Sequence, residues 1–163
     1  AYPGVESEER GVAEANALNL REMMMIEVPI IVIVCGEGGS GGALGIAIGD
    51  RVFMQEFSVY SVIPPEGCAA ILWRDANRKV EAAAALKITA PDMVALGLVD
   101  GIIPEPVGGA HNHHERAGAL VDQALNRALA EVEALSITER LNLRYEKFRR
   151  MGEEGTAFVD AKA

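Results

Sequence analysis

A glycine-rich segment, residues 36–42, holds five glycines and one serine directly after an apolar run. From Gly36 it matches G-x-G-x-x-G, a pattern whose glycines let the backbone approach dinucleotide phosphates. That interpretation requires a following strand that ends in an acid about 20 residues further on, and Glu56 stands at that distance. The helix between them would span only 43–48, which is too short for the crossover of such a unit. Dinucleotide binding is therefore disfavoured.

The same segment also contains G-x-S-x-G, centred on Ser40, which is the pattern around the nucleophilic serine of α/β-hydrolases. Such a serine needs an acid and a histidine, and Asp100 and His111 follow in the chain order Ser, Asp, His. His111 lies in a polar, glycine-rich loop, and nothing in the sequence places it beside Ser40. A serine hydrolase remains an open alternative.

A third interpretation uses only the backbone N–H groups of the glycine segment. Glycine lets a ligand approach the main chain closely, and the first turn of a helix presents N–H groups without internal partners. Together these features predict a site for an oxyanion, where one donor contributes about 3 kcal/mol to a transition state. A tight strand-to-helix turn that simply requires glycine is the plainer alternative. The candidate donors are Gly38, Gly39, Gly41 and Gly42.

Short strands and helices must position this segment. The β-branched run Ile30–Cys35 predicts a strand buried on both faces, as in α/β proteins. Residues 6–25 predict a helix capped by Ser7, and Ser136 with Glu139 forms a capping-box pattern before the last helix. The other predicted elements are strands at 51–57, 58–63 and 99–103, a turn at 64–67, and helices at 43–48, 68–73, 77–86, 89–96 and 115–135.

Composition narrows the class of protein. The net charge of −9 argues against a nucleic-acid partner, and no apolar run approaches the roughly 20 residues of a membrane span. No basic-then-apolar leader is present, so we expect a cytoplasmic protein. Cys35 and Cys68 form neither a disulfide framework nor a zinc pattern, and both are predicted to be buried thiols.

Other charged and ligand-type residues are expected to be structural. The basic residues near the C-terminus predict a solvated helix face, with contacts to coenzyme A phosphates as the alternative. They are Arg140, Arg144, Lys147, Arg149 and Arg150. The histidines at 111, 113 and 114 lack a second ligand cluster, so no metal is expected in this chain.

Several longer segments of the sequence resemble those of a known family. They occur in the same order, from residue 1 to about residue 145, and they resemble the carboxyltransferase α subunits of bacterial-type acetyl-CoA carboxylases. The strings are Ala1–Glu6, Glu8–Gly11, Asn19–Met23, Gly36–Leu44, Tyr60–Ile63, Pro65–Ala69, Ile71–Trp73, Ile103–Pro106 and Gly108–His111.

The resemblance implies an α/β fold of the ClpP/crotonase type, built of repeated ββα units and followed by C-terminal helices. The expected division is a core at 1–114, helices at 115–151 and a disordered tail at 152–163. It also implies that the chain is the C-terminal part of a longer subunit.

The resemblance further implies transfer of a carboxyl group from carboxybiotin, held on a separate carrier protein, to acetyl-CoA, which gives malonyl-CoA. The implied partners are a β subunit with a zinc ribbon and the biotin carboxyl carrier protein, in an α2β2 assembly. The glycine N–H groups would hold the biotin oxyanion, with Gly41 as first choice. Residues expected to line the same cleft are Tyr2, Pro3, Gly4, Pro65, Glu66 and Gly67.

Two departures bear on these expectations. Hydratase-type relatives of this superfamily carry a carboxylate after the glycines, whereas this chain has Ala43-Leu44-Gly45, which disfavours hydration. Pro64 stands where the family usually has serine, so no hydroxyl chemistry is expected there. A non-catalytic subunit that only assembles is a further alternative.

Overall fold

The computed structural model describes residues 4–152, so Tyr2, Pro3 and all but the first residue of the predicted tail lie outside the described residues. Two consecutive ββα units form its centre, as predicted. The first unit is β1 (Ile31–Val34), β2 (Glu37–Gly39) and α3 (Ser40–Ile46), and the second is β3 (Arg51–Gln55), β4 (Val59–Ser61) and α4 (Pro65–Trp73).

Helices surround these units. Two precede them, α1 (Val5–Glu9) and α2 (Val12–Met25). The elements that follow are a 3₁₀ turn (Ala76–Arg78), α5 (Lys79–Leu86), α6 (Ala90–Ala95), β5 (Gly101–Ile103), a second 3₁₀ turn (Ala110–Asn112), α7 (His114–Glu133) and α8 (Ile137–Arg150). Among the described helices, none is both long enough and apolar enough to cross a membrane.

The strands form two separate parallel sheets. One has the order β1-β3-β5, and the other pairs β2 with β4. The central strand β3 is buried on both faces, whereas the sequence predicted this for β1, in which only Val34 is buried and the three residues before it are half-buried. Val52 and Met54 pack towards α6, whereas Phe53 packs against Ala124 and Ala128 of α7. Each such buried side chain contributes about 1.5–3 kcal/mol, so the packing of helices on both faces stabilises the sheet.

Several of the sequence-based boundaries were wrong. The helix predicted at 6–25 is two helices, because Gly11 adopts a left-handed φ of +76° between them. Ser7 lies inside α1 and caps nothing, since Gly4 is the N-cap. The predicted turn at 64–67 is instead the N-cap and first turn of α4, where Pro65 is well placed because its missing N–H needs no partner.

One of the two cysteines is buried and the other is exposed. Cys68 is buried in α4, as predicted. Cys35 is exposed, contrary to the prediction, because it follows the last residue of β1 at the turn into β2. Burial of part of the side chain, and then the charge of Glu105, raise the pKa of the Cys35 thiol. Its thiol is therefore less readily ionised than an ordinary cysteine.

Helix α8 begins as predicted but is packed more closely than a solvated surface helix. Its capping box is formed: Ser136 Oγ accepts from Glu139 N at 3.3 Å, and Ser136 N donates to Glu139 Oε2 at 3.0 Å. The prediction of a solvated basic face was wrong for Arg140 and Arg144, which are both buried. They are buried because the connection between α2 and β1 lies beneath them and accepts their N–H groups.

We expect Lys87→Gly to raise the free energy of unfolding by about 0.5–1 kcal/mol. Lys87 follows α5 with a φ of +54°, a left-handed conformation that is costly for any residue with a β-carbon. Urea denaturation of both proteins measures the gain. Lys87→Ala is the control, because it removes the same side chain but keeps the strain. An equal gain from alanine would contradict the backbone explanation.

Candidate active site

A cavity of about 780 Å³ lies between α2, the glycine segment and the start of α4. This size is within the usual range of about 300–1,000 Å³ for small-molecule sites. Of the predicted site residues, Gly38, Gly39, Gly41, Gly42, Pro65 and Glu66 line it together. Gly67 instead packs on the side chain of Ile63, and the Gly4 carbonyl accepts the N–H groups of Ser7 and Glu8. Tyr2 and Pro3 lie outside the described residues.

Most of the glycine segment forms regular secondary structure, although so many glycines in succession are typical of a loop. Residues Glu37–Gly39 form β2, which pairs in parallel with β4 so that Gly38 lies opposite Tyr60 and Gly39 opposite Ser61. Helix α3 begins at the next residue. The chain therefore passes from strand to helix without an intervening loop, and this passage forms one side of the cavity.

Gly38 is a glycine because of the tyrosine ring beside it. A β-carbon at Gly38 would lie 2.8 Å from Tyr60 Cδ2 and 3.1 Å from Val34 Cγ1. We expect Gly38→Ala to lower the free energy of unfolding by about 1–3 kcal/mol through this overpacking. Gly39→Ala is the matched control, because its nearest neighbour is the Ser61 carbonyl at 3.9 Å. Equal losses in urea denaturation would contradict this explanation.

Gly41 and Gly42 stand in the first turn of α3, and Gly39 is its N-cap. N–H groups in this position have no partner within their own helix. Gly41 is exposed, and a β-carbon there would find its nearest atom, Nδ2 of Asn16, at 4.0 Å. A ligand in the cavity can therefore reach the backbone without obstruction by side chains. Accessible backbone at a helix start is one requirement of an oxyanion site.

Ser40 adopts a φ of +57°, which is uncommon for a residue other than glycine. A sharp, strained strand-to-helix turn is also the setting of a hydrolase nucleophile. The other members of a triad are not brought to it, however. Asp100 accepts from Val52 N and Lys147 Nζ, and His111 lies in the second 3₁₀ turn; neither lines the cavity.

Charge on the described lining is negative. Glu8, Glu37 and Glu66 contribute carboxylates, and Glu66 pairs with Lys79 at 3.2 Å. Its own backbone hydrogen bond, and then that from Lys79, lower the pKa of Glu66. This residue therefore remains an anion at neutral pH. Within residues 4–152, no group of three or more His, Cys, Asp or Glu side chains is arranged to hold a metal ion.

Sequence reasoning missed the wall formed by α2. Val12, Ala13 and Asn16 line the cavity from that helix, opposite the glycine segment. Asn16 follows Val12 by four residues and Ala13 by three, and residues at these spacings are neighbours on a helix surface. The spacing of these three residues therefore indicates a common helix face, but nothing in the sequence alone shows that this face of α2 lies against α3.

Comparison with known proteins agrees with this architecture. The chain is 58% identical over 151 residues to the acetyl-coenzyme A carboxylase carboxyl transferase subunit alpha of Geobacter metallireducens, covering 93% of this chain and 48% of that protein. It is 60% identical over 152 residues to the subunit of that name from Thermosynechococcus vestitus, covering 93% and 47%. The chain thus spans about half the length of these curated relatives.

Solved structures show the same fold at lower identity. The Pseudomonas malonate decarboxylase MdcD–MdcE hetero-dimer matches with a TM-score of 0.67 at 20% identity, over 92% of this chain and 62% of that one. An enoyl-CoA hydratase from Mycobacterium avium subsp. paratuberculosis matches with a TM-score of 0.56 at 17% identity, over 92% and 62%. The fold is therefore crotonase-like, as predicted.

One family assignment agrees with the repeated ββα units, with the parallel sheets and with the similarity to curated α subunits. The model of the family described as "Acetyl co-enzyme A carboxylase carboxyltransferase-like" matches residues 1–152, which is nearly the whole chain. The chain belongs to this family.

Proposed function

We propose that this chain forms part of the α subunit of an acetyl-CoA carboxylase carboxyltransferase. That enzyme transfers a carboxyl group from biotin on a carrier protein to acetyl-CoA, which gives malonyl-CoA. The observation that carries the proposal is the family match, which includes the glycine segment lining the cavity. Identities of 52–60% to curated α subunits support it.

The size of the cavity and its exposed glycine backbone support a site for the ureido end of a biotin group. Carboxybiotin, when bound, would supply the carboxyl group, and backbone donors of this chain would stabilise the negative charge left on its ureido oxygen. In our proposal, the donors to this oxygen are backbone N–H groups of the glycine segment, with Gly41 as first choice and Gly38, Gly39 and Gly42 as the other candidates. Preorganised backbone donors of this kind contribute about 2.7–4 kcal/mol each to a transition state.

The proposal includes partners. The α subunit binds a β subunit that carries a zinc ribbon and the coenzyme A half of the site, and a biotin carboxyl carrier protein, in an α2β2 assembly. The described lining of the cavity offers carboxylates but no lysine or arginine. Charge complementary to coenzyme A phosphates would therefore come from outside the described lining. In the proposed complex, the β subunit provides it.

The reverse reaction tests this proposal. The full-length subunit that contains this segment is mixed with its β subunit, malonyl-CoA and a biotin analogue, and the formation of acetyl-CoA is followed. We expect turnover that requires both subunits and the biotin analogue. Absence of turnover from a well-folded, assembled complex would overturn the proposed function.

The left-handed φ of Ser40 supports one second candidate, a serine hydrolase. For the carboxyltransferase we expect Ser40→Ala to leave the rate nearly unchanged, because only backbone groups act at that turn. For a hydrolase the same change abolishes hydrolysis of a thioester or ester substrate. Ser40→Gly is the companion variant, since it removes the hydroxyl and relieves the backbone strain together. Loss of carboxyl transfer in both variants would contradict the backbone mechanism.

A further inference from the structure

Helix α8 anchors the end of α2 through two buried arginines. The guanidinium of Arg144 is fully buried and donates to both carboxylate oxygens of Asp50, from Nε at 2.9 Å and from Nη2 at 2.8 Å. Asp50 Oδ2 also accepts from Ile30 N at 2.8 Å, at the start of β1. Planar arginine is suited to such a two-pronged pair because its N–H groups are held in a rigid fork.

The remaining N–H groups of Arg144 reach the main chain that leaves α2. Nη1 donates to the carbonyl oxygens of Met23 at 2.8 Å and Ile26 at 2.7 Å, and Nη2 donates to Val28 O at 3.2 Å. Arg140, one turn earlier on α8, donates to Glu27 O. These carbonyls include those that a helix end leaves without internal partners. The last turn of α2 and the chain up to β1 are thus fixed to α8.

The other half of α2 forms a wall of the candidate active site. Asn16 lies about 10 Å from Met23 along the helix axis, at 1.5 Å per residue, and lines the cavity. It contacts α3 closely, since a β-carbon on Gly45 would lie 3.2 Å from Asn16 Oδ1. A rigid helix links these two places, so a shift at its anchored end displaces the wall that faces Gly41.

We infer that Arg144 is a positioning residue for the biotin side of the cavity, acting through α2; this inference rests on the proposed function. It holds no substrate itself, because its guanidinium is buried and fully engaged with Asp50 and main-chain carbonyls. Its effect is to fix the distance between α2 and the glycine segment. Displacements of about 1 Å at such walls reduce rates as much as 100-fold.

The test uses Arg144→Lys in the assembled enzyme, because lysine keeps the charge but loses the fork. We expect the KM for the biotin analogue to rise about tenfold or more, while the KM for malonyl-CoA stays unchanged. A purely structural role reduces the amount of folded enzyme and moves neither KM. A fall in maximal rate that only matches the fall in the amount of folded enzyme, with both KM values unchanged, would therefore overturn the inference. Arg149→Lys is the matched control, since Arg149 is an exposed arginine on the same helix.

Amide hydrogen exchange provides a readout that is independent of activity. In Arg144→Lys we expect faster exchange across Val12–Met25, with exchange in β3 unchanged. Arg140→Lys is the milder second variant, because Arg140 holds the same connection. Unchanged exchange in α2, or an equal rise throughout the chain, would overturn the positioning role. If the unsubstituted enzyme does not use biotin, the proposed function is overturned. The hydrogen-exchange result would still decide whether Arg144 positions α2.

Discussion

Proline in place of Gly41 is expected to lower biotin-dependent carboxyl transfer about 10²- to 10³-fold, the usual effect of removing one oxyanion donor. Proline has no N–H, and the first turn of a helix tolerates it because that N–H has no partner within the helix. The site has room for a β-carbon, since its nearest neighbour, Asn16 Nδ2, would lie 4.0 Å away. The measurement is the rate of acetyl-CoA formation from malonyl-CoA by the assembled enzyme.

Two controls separate the lost N–H from other effects. Gly41→Ala keeps the N–H and adds only a methyl group, so we expect it to retain most of the activity. The proline is best compared within a Ser40→Gly background, because a residue that precedes proline resists helical conformations and glycine is the least restricted. Equal loss in the alanine and proline variants would show that space at Gly41 matters, rather than its N–H. Full activity of the proline variant would mean that the oxyanion donor is the N–H group of Gly39 or Gly42 and not that of Gly41.

Asp50→Ala is expected to lower the free energy of unfolding by about 3–5 kcal/mol. The change leaves the buried guanidinium of Arg144 without its carboxylate and Ile30 N without its acceptor. An unpaired buried charge is far more costly than the same charge in water. Since domains of this size have a total stability of about 5–15 kcal/mol, we expect a large fraction of it to be lost. Urea denaturation at constant pH measures the difference.

A double-mutant cycle shows whether the loss belongs to the pair. In Asp50→Ala with Arg144→Met, the buried charge is gone, and we expect part of the stability to return. Asp50→Asn is the control for Ile30 N, because it retains an oxygen acceptor. If the double variant is as unstable as the sum of the two single variants, the two residues do not interact energetically and the explanation is wrong.

Local sequence patterns predicted much of the fold. The strand of β3 and the capping box at Ser136 depend on neighbours in the chain, so their prediction needed no knowledge of the rest of the molecule. Residues Glu37–Gly39 could not be predicted as a strand, because glycine disfavours strands and only pairing with β4 holds them there. The break at Gly11 was missed because a single glycine inside a helical pattern is often tolerated.

The candidate site was predictable only in part. Its glycines were found because their density in the sequence is unusual, but the contribution of Asn16 depends on how α2 crosses α3. The buried state of Arg144 was unpredictable for the same reason. A run of basic residues on a terminal helix is usually solvated, and its burial here depends on carbonyls and a carboxylate that lie 94 to 121 positions earlier in the chain.

The same long separations set the order of events during biosynthesis. Asp50 is made 94 residues before Arg144, which at about 5–20 residues per second is a delay of roughly 5–20 s. Until then, the carboxylate of Asp50 and the carbonyl groups at the end of α2 lack the five N–H groups that Arg144 donates in the folded protein. Closure of the α2 end is therefore a late step on the ribosome. A nascent chain halted before residue 144 would present the glycine segment with its opposite wall still unanchored.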